Sequence, residues 1–84
     1  MRNDNRFLRI YFGALSDLEV ELSDFSTLEC IRQYLFSDDK RLAQAAASCL
    51  ISCFKNGKEM VRITLELDLP HKKLIEGILK LNGD

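Results

Sequence analysis

Eighty-four residues make one domain, 1–84, because two would leave neither half with enough apolar side chains for a core. Apolar residues at 46% and charged residues at 30%, with four Gly and one Pro, exclude the disordered, collagenous and low-complexity classes. Twelve Lys and Arg against thirteen Asp and Glu leave a net charge of −1, which excludes a uniform positive field for nucleic acid or an anionic membrane.

The charged opening around Arg2 and Arg6 has no apolar run behind it. The longest near-apolar stretch, 45–54, is broken by Ser48 and Ser52 and falls far short of the ~20 residues that span a bilayer. Three cysteines, Cys30, Cys49 and Cys53, are an odd number and predict free thiols in a reducing compartment, so a cytoplasmic location is expected.

In chain order, 7–12 is rich in aromatic and β-branched residues and predicts a strand with Leu8, Ile10 and Phe12 on its inner face. A turn at 13–17 leads to 18–22, where Leu18, Val20 and Leu22 alternate with Glu19 and Glu21; this is the period of a half-buried strand and predicts an antiparallel hairpin. Ser26 and Glu29 have the spacing of a capping box, with Phe25 and Cys30 at the staple positions, and predict a helix over 26–36. Ser37, Asp38 and Asp39 predict its stop and the cap of a second helix over 40–55, in which Leu42, Ala46, Cys49, Leu50 and Cys53 share one face. Ala45, Ala46 and Ala47 there predict close packing against a neighbour. Asn56 and Gly57 supply a left-handed helix end.

Over 61–69, Val61, Ile63, Leu65, Leu67 and Leu69 alternate with polar residues without a fault, which predicts a third strand. Pro70 opens a last helix to about Asn82, capped by Asp68 or Leu69, with Leu74, Ile75, Ile78, Leu79 and Leu81 inward. On its wet side Lys72, Glu76 and Lys80 form i, i+4 pairs, and Gly77 marks close approach to another element. The expected fold is therefore α+β: a small two-layer domain of order ββααβα, its three-stranded sheet covered on one face by helices.

Chemistry-bearing constellations are few. Cys49 and Cys53 lie four apart on one helix and, with Cys30 and His71, would make up a set of three Cys and one His for zinc; the spacing is not that of a zinc knuckle, and thiols on apolar faces pack as small hydrophobes. No metal or cofactor is expected. His71 is the single histidine, no Ser-His or paired-carboxylate arrangement stands out, and the four glycines are isolated from one another. No enzyme activity is expected.

The strand-helix-turn-helix unit 18–55 resembles the ribbon-helix-helix arrangement of small dimeric repressors, a family that reads bases with the outward residues of its ribbon. Those residues here are Glu19 and Glu21, which phosphates repel. Residues 63–83 are similar to a helix-turn-helix at turn and core positions, which implies His71, Lys72 and Lys73 at the start of a recognition helix; the period-2 pattern over 61–69 opposes it.

Asp17, Glu19, Glu21, Asp24 and Glu29 place five negative charges in 17–29 with no Lys or Arg among them. Beside them, on the outer face of the predicted sheet, stand Phe7, Arg9 and Tyr11, and exposed aromatics among charges are the stuff of interface cores. The expected function is that of a small non-enzymatic regulatory protein, of inhibitor, antidote or adaptor type. It would bind a protein partner, one of basic character, through Phe7, Arg9, Tyr11, Glu19 and Glu21. Homodimerisation is expected at this size. The alternative is a small dimeric DNA-binding regulator using His71, Lys72 and Lys73 on the helix that starts near Pro70.

Overall fold

The computed structural model describes residues 4–18, 22 and 24–83. Its elements are α1 (Asp4–Leu18), α2 (Phe25–Arg32), a 3-10 turn at Gln33–Phe36, α3 (Lys40–Cys53), α4 (Gly57–Leu65) and α5 (Lys72–Leu81). Among the described residues there is no strand, so the α+β class, the ββααβα order and the three-stranded sheet are overturned in favour of an all-helical domain.

The errors have a common physical origin. A six-residue window over 7–12 cannot separate a strand from a helix, whereas the longer run Leu8, Phe12 and Leu15 has helical spacing and turns toward the core. The alternating segment 61–69 is more instructive. Of its five apolar residues, Val61, Leu65 and Leu69 are buried while Ile63 and Leu67 are exposed, so burial follows a period near four and not two. Thr64 is buried with them, its hydroxyl donating to the Met60 carbonyl at 2.8 Å, a bond within α4 that a strand does not offer.

Capping chemistry sets the other boundaries. Asp39 caps α3 as expected, Oδ1 accepting from the Arg41 and Leu42 amides at 3.1 and 3.3 Å. At α2 the cap is Asp24 and not Ser26: its Oδ2 accepts from the Thr27 hydroxyl at 2.7 Å and its Oδ1 from the Ser26 amide at 3.1 Å. Those bonds, the Thr27 hydroxyl first, hold the Asp24 carboxyl below its ordinary pKa. Glu29, freed from the capping box, pairs with Arg32 at 3.1 Å. The Phe25 and Cys30 staple is absent, both residues being exposed. At the last helix, α5 starts at Lys72 with no side-chain cap, and Pro70 lies in the preceding turn.

α3 is the centre of the molecule. It packs against α1 most extensively and also meets α2, the 3-10 turn, α4 and α5. Seven of its residues are buried, Leu42, Ala43, Ala46, Ala47, Cys49, Leu50 and Cys53, and four of the seven are Ala or Cys with small side chains besides Cys53 itself. Small side chains let backbones approach closely, which is what the alanine run predicts. The C-terminal turns of α1 and α3 touch, Cys53 Sγ donating to the Leu15 carbonyl at 3.5 Å, so the two helices lie side by side in the same sense.

Gly57 opens α4 and is buried. It does not have the left-handed conformation expected of a helix end; among the described residues Gly83 alone has it, with φ +86°. What Gly57 supplies is space, because a Cβ there would sit on the Leu50 carbonyl of α3. Gly77 is the opposite case: it is exposed, with nothing within 4 Å of a Cβ, so its expected close approach is not found. Gly57→Ala is therefore expected to destabilise the fold by about 3 kcal/mol, because backbone must move to admit the methyl group. Gly77→Ala, by contrast, should stabilise it by about 0.5–1 kcal/mol through helix propensity. Urea titration of the two variants checks both signs.

Candidate functional site

α1 carries apolar residues on both of its sides. At 100° per residue, Leu8, Phe12 and Leu15 form one cluster, and Phe12 is buried with the other two half-buried against the core. Ile10, Ala14, Phe7, Leu18 and Tyr11 follow one another around an adjoining arc about 100° wide. That arc is open to solvent: Phe7 is 67% exposed, Ile10 59%, Tyr11 49% and Leu18 73%. Phe7 and Tyr11 stack one turn apart, ring centroids 6.3 Å and planes 10° from parallel, so they present a continuous aromatic surface.

The arc continues into a groove of about 280 Å³ between α1 and α2, lined by Leu8, Tyr11 and Phe12 on one side and by Cys30, Ile31 and Tyr34 on the other. Tyr11 belongs to both. From it an aromatic series descends into the core, Tyr11 to Phe12 at 6.0 Å and Phe12 to Tyr34 at 5.6 Å.

α3 shows what such an arc is suited to. Shifting α1 by 35 positions lays Phe7, Leu8, Tyr11, Phe12, Ala14, Leu15 and Leu18 on the seven buried residues of α3, and all seven α1 residues are apolar. Leu42, Ala46, Cys49 and Cys53, the α3 counterparts of Phe7, Tyr11, Ala14 and Leu18, are buried, and Cys53 touches α1. α1 thus repeats the apolar pattern of a helix that is covered on that side, and nothing in the described chain covers it.

The residues expected at the site are partly reunited and partly dispersed. Phe7 and Tyr11 share the exposed arc, on a helix and not on a sheet. Arg9 does not join them: a helix turns it by about 200° from each, and it is half-buried on the other side of α1. Glu19 and Glu21 lie outside the described residues. Two other members of the acidic stretch are engaged in local structure, Asp24 as the α2 cap and Glu29 with Arg32. Ile10 and Leu18 were missed, Ile10 because a strand register turned it inward with Leu8 and Phe12. The signal was available, since apolar residues over 7–18 span an arc near 200° on a helical wheel, wider than one core-facing stripe requires.

At the other end of the molecule, Lys72 and Lys73 are exposed at the start of α5, while His71 is half-buried with Nε2 3.0 Å from the Asp38 carbonyl, to which it donates. A groove of about 450 Å³ between α4 and α5 has Arg62, Glu66, Lys72, Glu76 and Lys80 above Leu65 and Leu79, so both signs of charge alternate along it. The described residues hold no grouping of three or more His, Cys, Asp and Glu that could hold a metal ion. None of the described helices is long and apolar enough to cross a membrane. Comparison with family models, with curated proteins and with solved structures finds no match to this chain.

The three thiols differ sharply. Cys30 is exposed at the α1–α2 groove, whereas Cys49 and Cys53 are buried 4.0 Å apart on α3. Burial, and then the neighbouring Cys53, push the Cys49 thiol from 9.0 up to about 12. A folded-state pKa above the unfolded value stabilises the fold fully below that unfolded value, and the contribution is lost as pH rises toward 12. Titration of the native protein with a thiol reagent should therefore label Cys30 alone and rapidly, with Cys49 and Cys53 reacting only on unfolding. Stability measured by urea should decline above pH 9, and a Cys49→Ala variant should decline less steeply.

Proposed function

We propose that this chain is a non-enzymatic protein-interaction module that docks another protein on the exposed arc of α1. The observation that carries the reading is the exposed apolar arc of Phe7, Ile10, Tyr11 and Leu18 on α1, of which Phe7, Tyr11 and Leu18, with Ala14, match positions that the neighbouring α3 buries. Exposed apolar surface that is contiguous and includes aromatics is costly in water and is the usual core of a docking surface. The partner chemistry this favours is an apolar helix face, because the equivalent side of α3 is buried among helices and its Cys53 touches α1. A sheet face plays no part, and of the acidic stretch Asp17 borders the surface while Asp24 and Glu29 are engaged at α2.

The test is affinity capture from the source cell with nuclease present, comparing the unmodified chain with a Phe7→Glu, Tyr11→Lys variant. Both positions are solvent-exposed, so helical circular dichroism and the melting temperature should be retained. Loss of each anchor is expected to weaken partner affinity by about 2 kcal/mol, roughly thirtyfold, measured by titration of the recovered partner. A variant that captures its partner undiminished would sink the reading.

A second reading, the small DNA-binding regulator, is favoured by one specific observation. Residues 57–65 are a helix, so α4, the turn at 66–71 and α5 follow one another as helix, turn and helix, with Lys72 and Lys73 exposed where such motifs meet base edges. Against it stand the exposed carboxylates of Glu66, Asp68 and Glu76 and the engagement of His71 with Asp38. A mobility shift on duplex DNA that weakens with salt and disappears in Lys72→Glu, Lys73→Glu supports this reading; no shift at low salt removes it.

A further inference from the structure

The charges that border the α1 arc select its occupant. Arg6 and Asp17 are eleven residues apart, which on an α-helix returns them to within about 20° of each other, both beside Ile10 on the same edge of the arc and both exposed. One stands at the N-terminal end of the arc and the other at its C-terminal end. A helix laid parallel on this face would bring like ends together. A copy of α1 laid antiparallel brings Arg6 to the second copy's Asp17 and Asp17 to the second copy's Arg6, because antiparallel neighbours juxtapose residues on the same edge.

We infer that the chain forms a two-fold symmetric dimer through antiparallel pairing of α1 with α1 of a second copy, the partner that the docking reading leaves unidentified. With the axis level with the middle of α1, Phe7 of each copy comes within a turn of the second copy's Leu18. Ile10 comes opposite the second copy's Ala14, so a branched side chain meets a small one, the alternation that allows close packing. The single surface is self-complementary in shape and in charge, as an isologous interface requires. The two ion pairs lie at the rim, where they decide orientation and contribute less to affinity than the apolar arc between them.

Sedimentation equilibrium of the full chain over a concentration series tests this. A two-chain species is expected, weakened by raised salt. Arg6→Asp and Asp17→Arg should each raise the dimer dissociation constant by roughly tenfold, since each places like charges at both rims. The double variant Arg6→Asp, Asp17→Arg should return toward the unmodified value. That rescue cannot come from misfolding, and it requires the antiparallel register. Ala14→Arg should give a monomer with unchanged helical circular dichroism. A chain that stays monomeric throughout, a dimer indifferent to all these substitutions, or a double variant no better than the singles overturns the proposal. If the chain is monomeric yet the Phe7→Glu, Tyr11→Lys variant still loses a captured protein, the arc serves a different partner and only the second copy is wrong. If that variant changes nothing either, the docking reading fails with it.

Discussion

The fold depends on how closely other backbones approach α3. Ala43, Ala46 and Ala47 are buried on it with Cys49, and small side chains bring helix axes together so that each helix around α3 makes more dispersion contact per residue. Gly57, the first residue of α4, lies so close to the Leu50 carbonyl of α3 that no Cβ fits between them. Once α4 starts there, its next two turns carry Val61, Thr64 and Leu65 inward, and Leu69 in the following turn is buried as well. The direction taken by 57–69 thus accompanies a contact with a residue outside that segment.

The same dependence explains why α1 is unlike the rest. A domain of 84 residues buries a smaller share of its surface than a large one, and each helix at its periphery covers only one of its sides. α3 has neighbours on several sides and can afford a wide apolar face. α1 has them on one, yet carries apolar residues over an arc as wide. Leu8, Phe12 and Leu15 satisfy the core, and Phe7, Ile10, Tyr11 and Leu18 exceed what the core can use. The surplus is the most direct physical sign of an interface in this chain. The acidic stretch that looks functional in a linear reading is in part the ordinary apparatus of helix ends, with Asp24 accepting two hydrogen bonds and Glu29 one ion pair.

Much of the fold was legible where local chemistry acts alone. Asp39 is the cap of α3 because its carboxylate reaches amides two and three residues on, and α3 shows its inward face in the spacing of Leu42, Ala46, Cys49, Leu50 and Cys53. Ile75, Ile78 and Leu79 turn inward on α5 as their spacing predicts, while Leu74 and Leu81, expected inward with them, are exposed. Of the candidate site, Phe7 and Tyr11 were legible as exposed aromatics because i, i+4 residues share a side in either geometry. Arg9 was not separable from them, since i, i+2 residues share a face on a strand and are divided on a helix.

The sequence by itself determined that the chain has one core, that a helix with a broad apolar face starts at Lys40, and that Phe7 and Tyr11 stand together. The tertiary structure alone decided whether 7–12 and 61–69 are strands or helices. In 61–69 the apolar residues at every second position contain those at every fourth, so both periods are satisfied by the same side chains. Only packing against α3 chooses Val61, Leu65 and Leu69 and leaves Ile63 and Leu67 in water. It decided also that the aromatic face belongs to a helix, because burial of Leu8, Phe12 and Leu15 against a neighbour is a property of the assembled core and not of the segment that carries them.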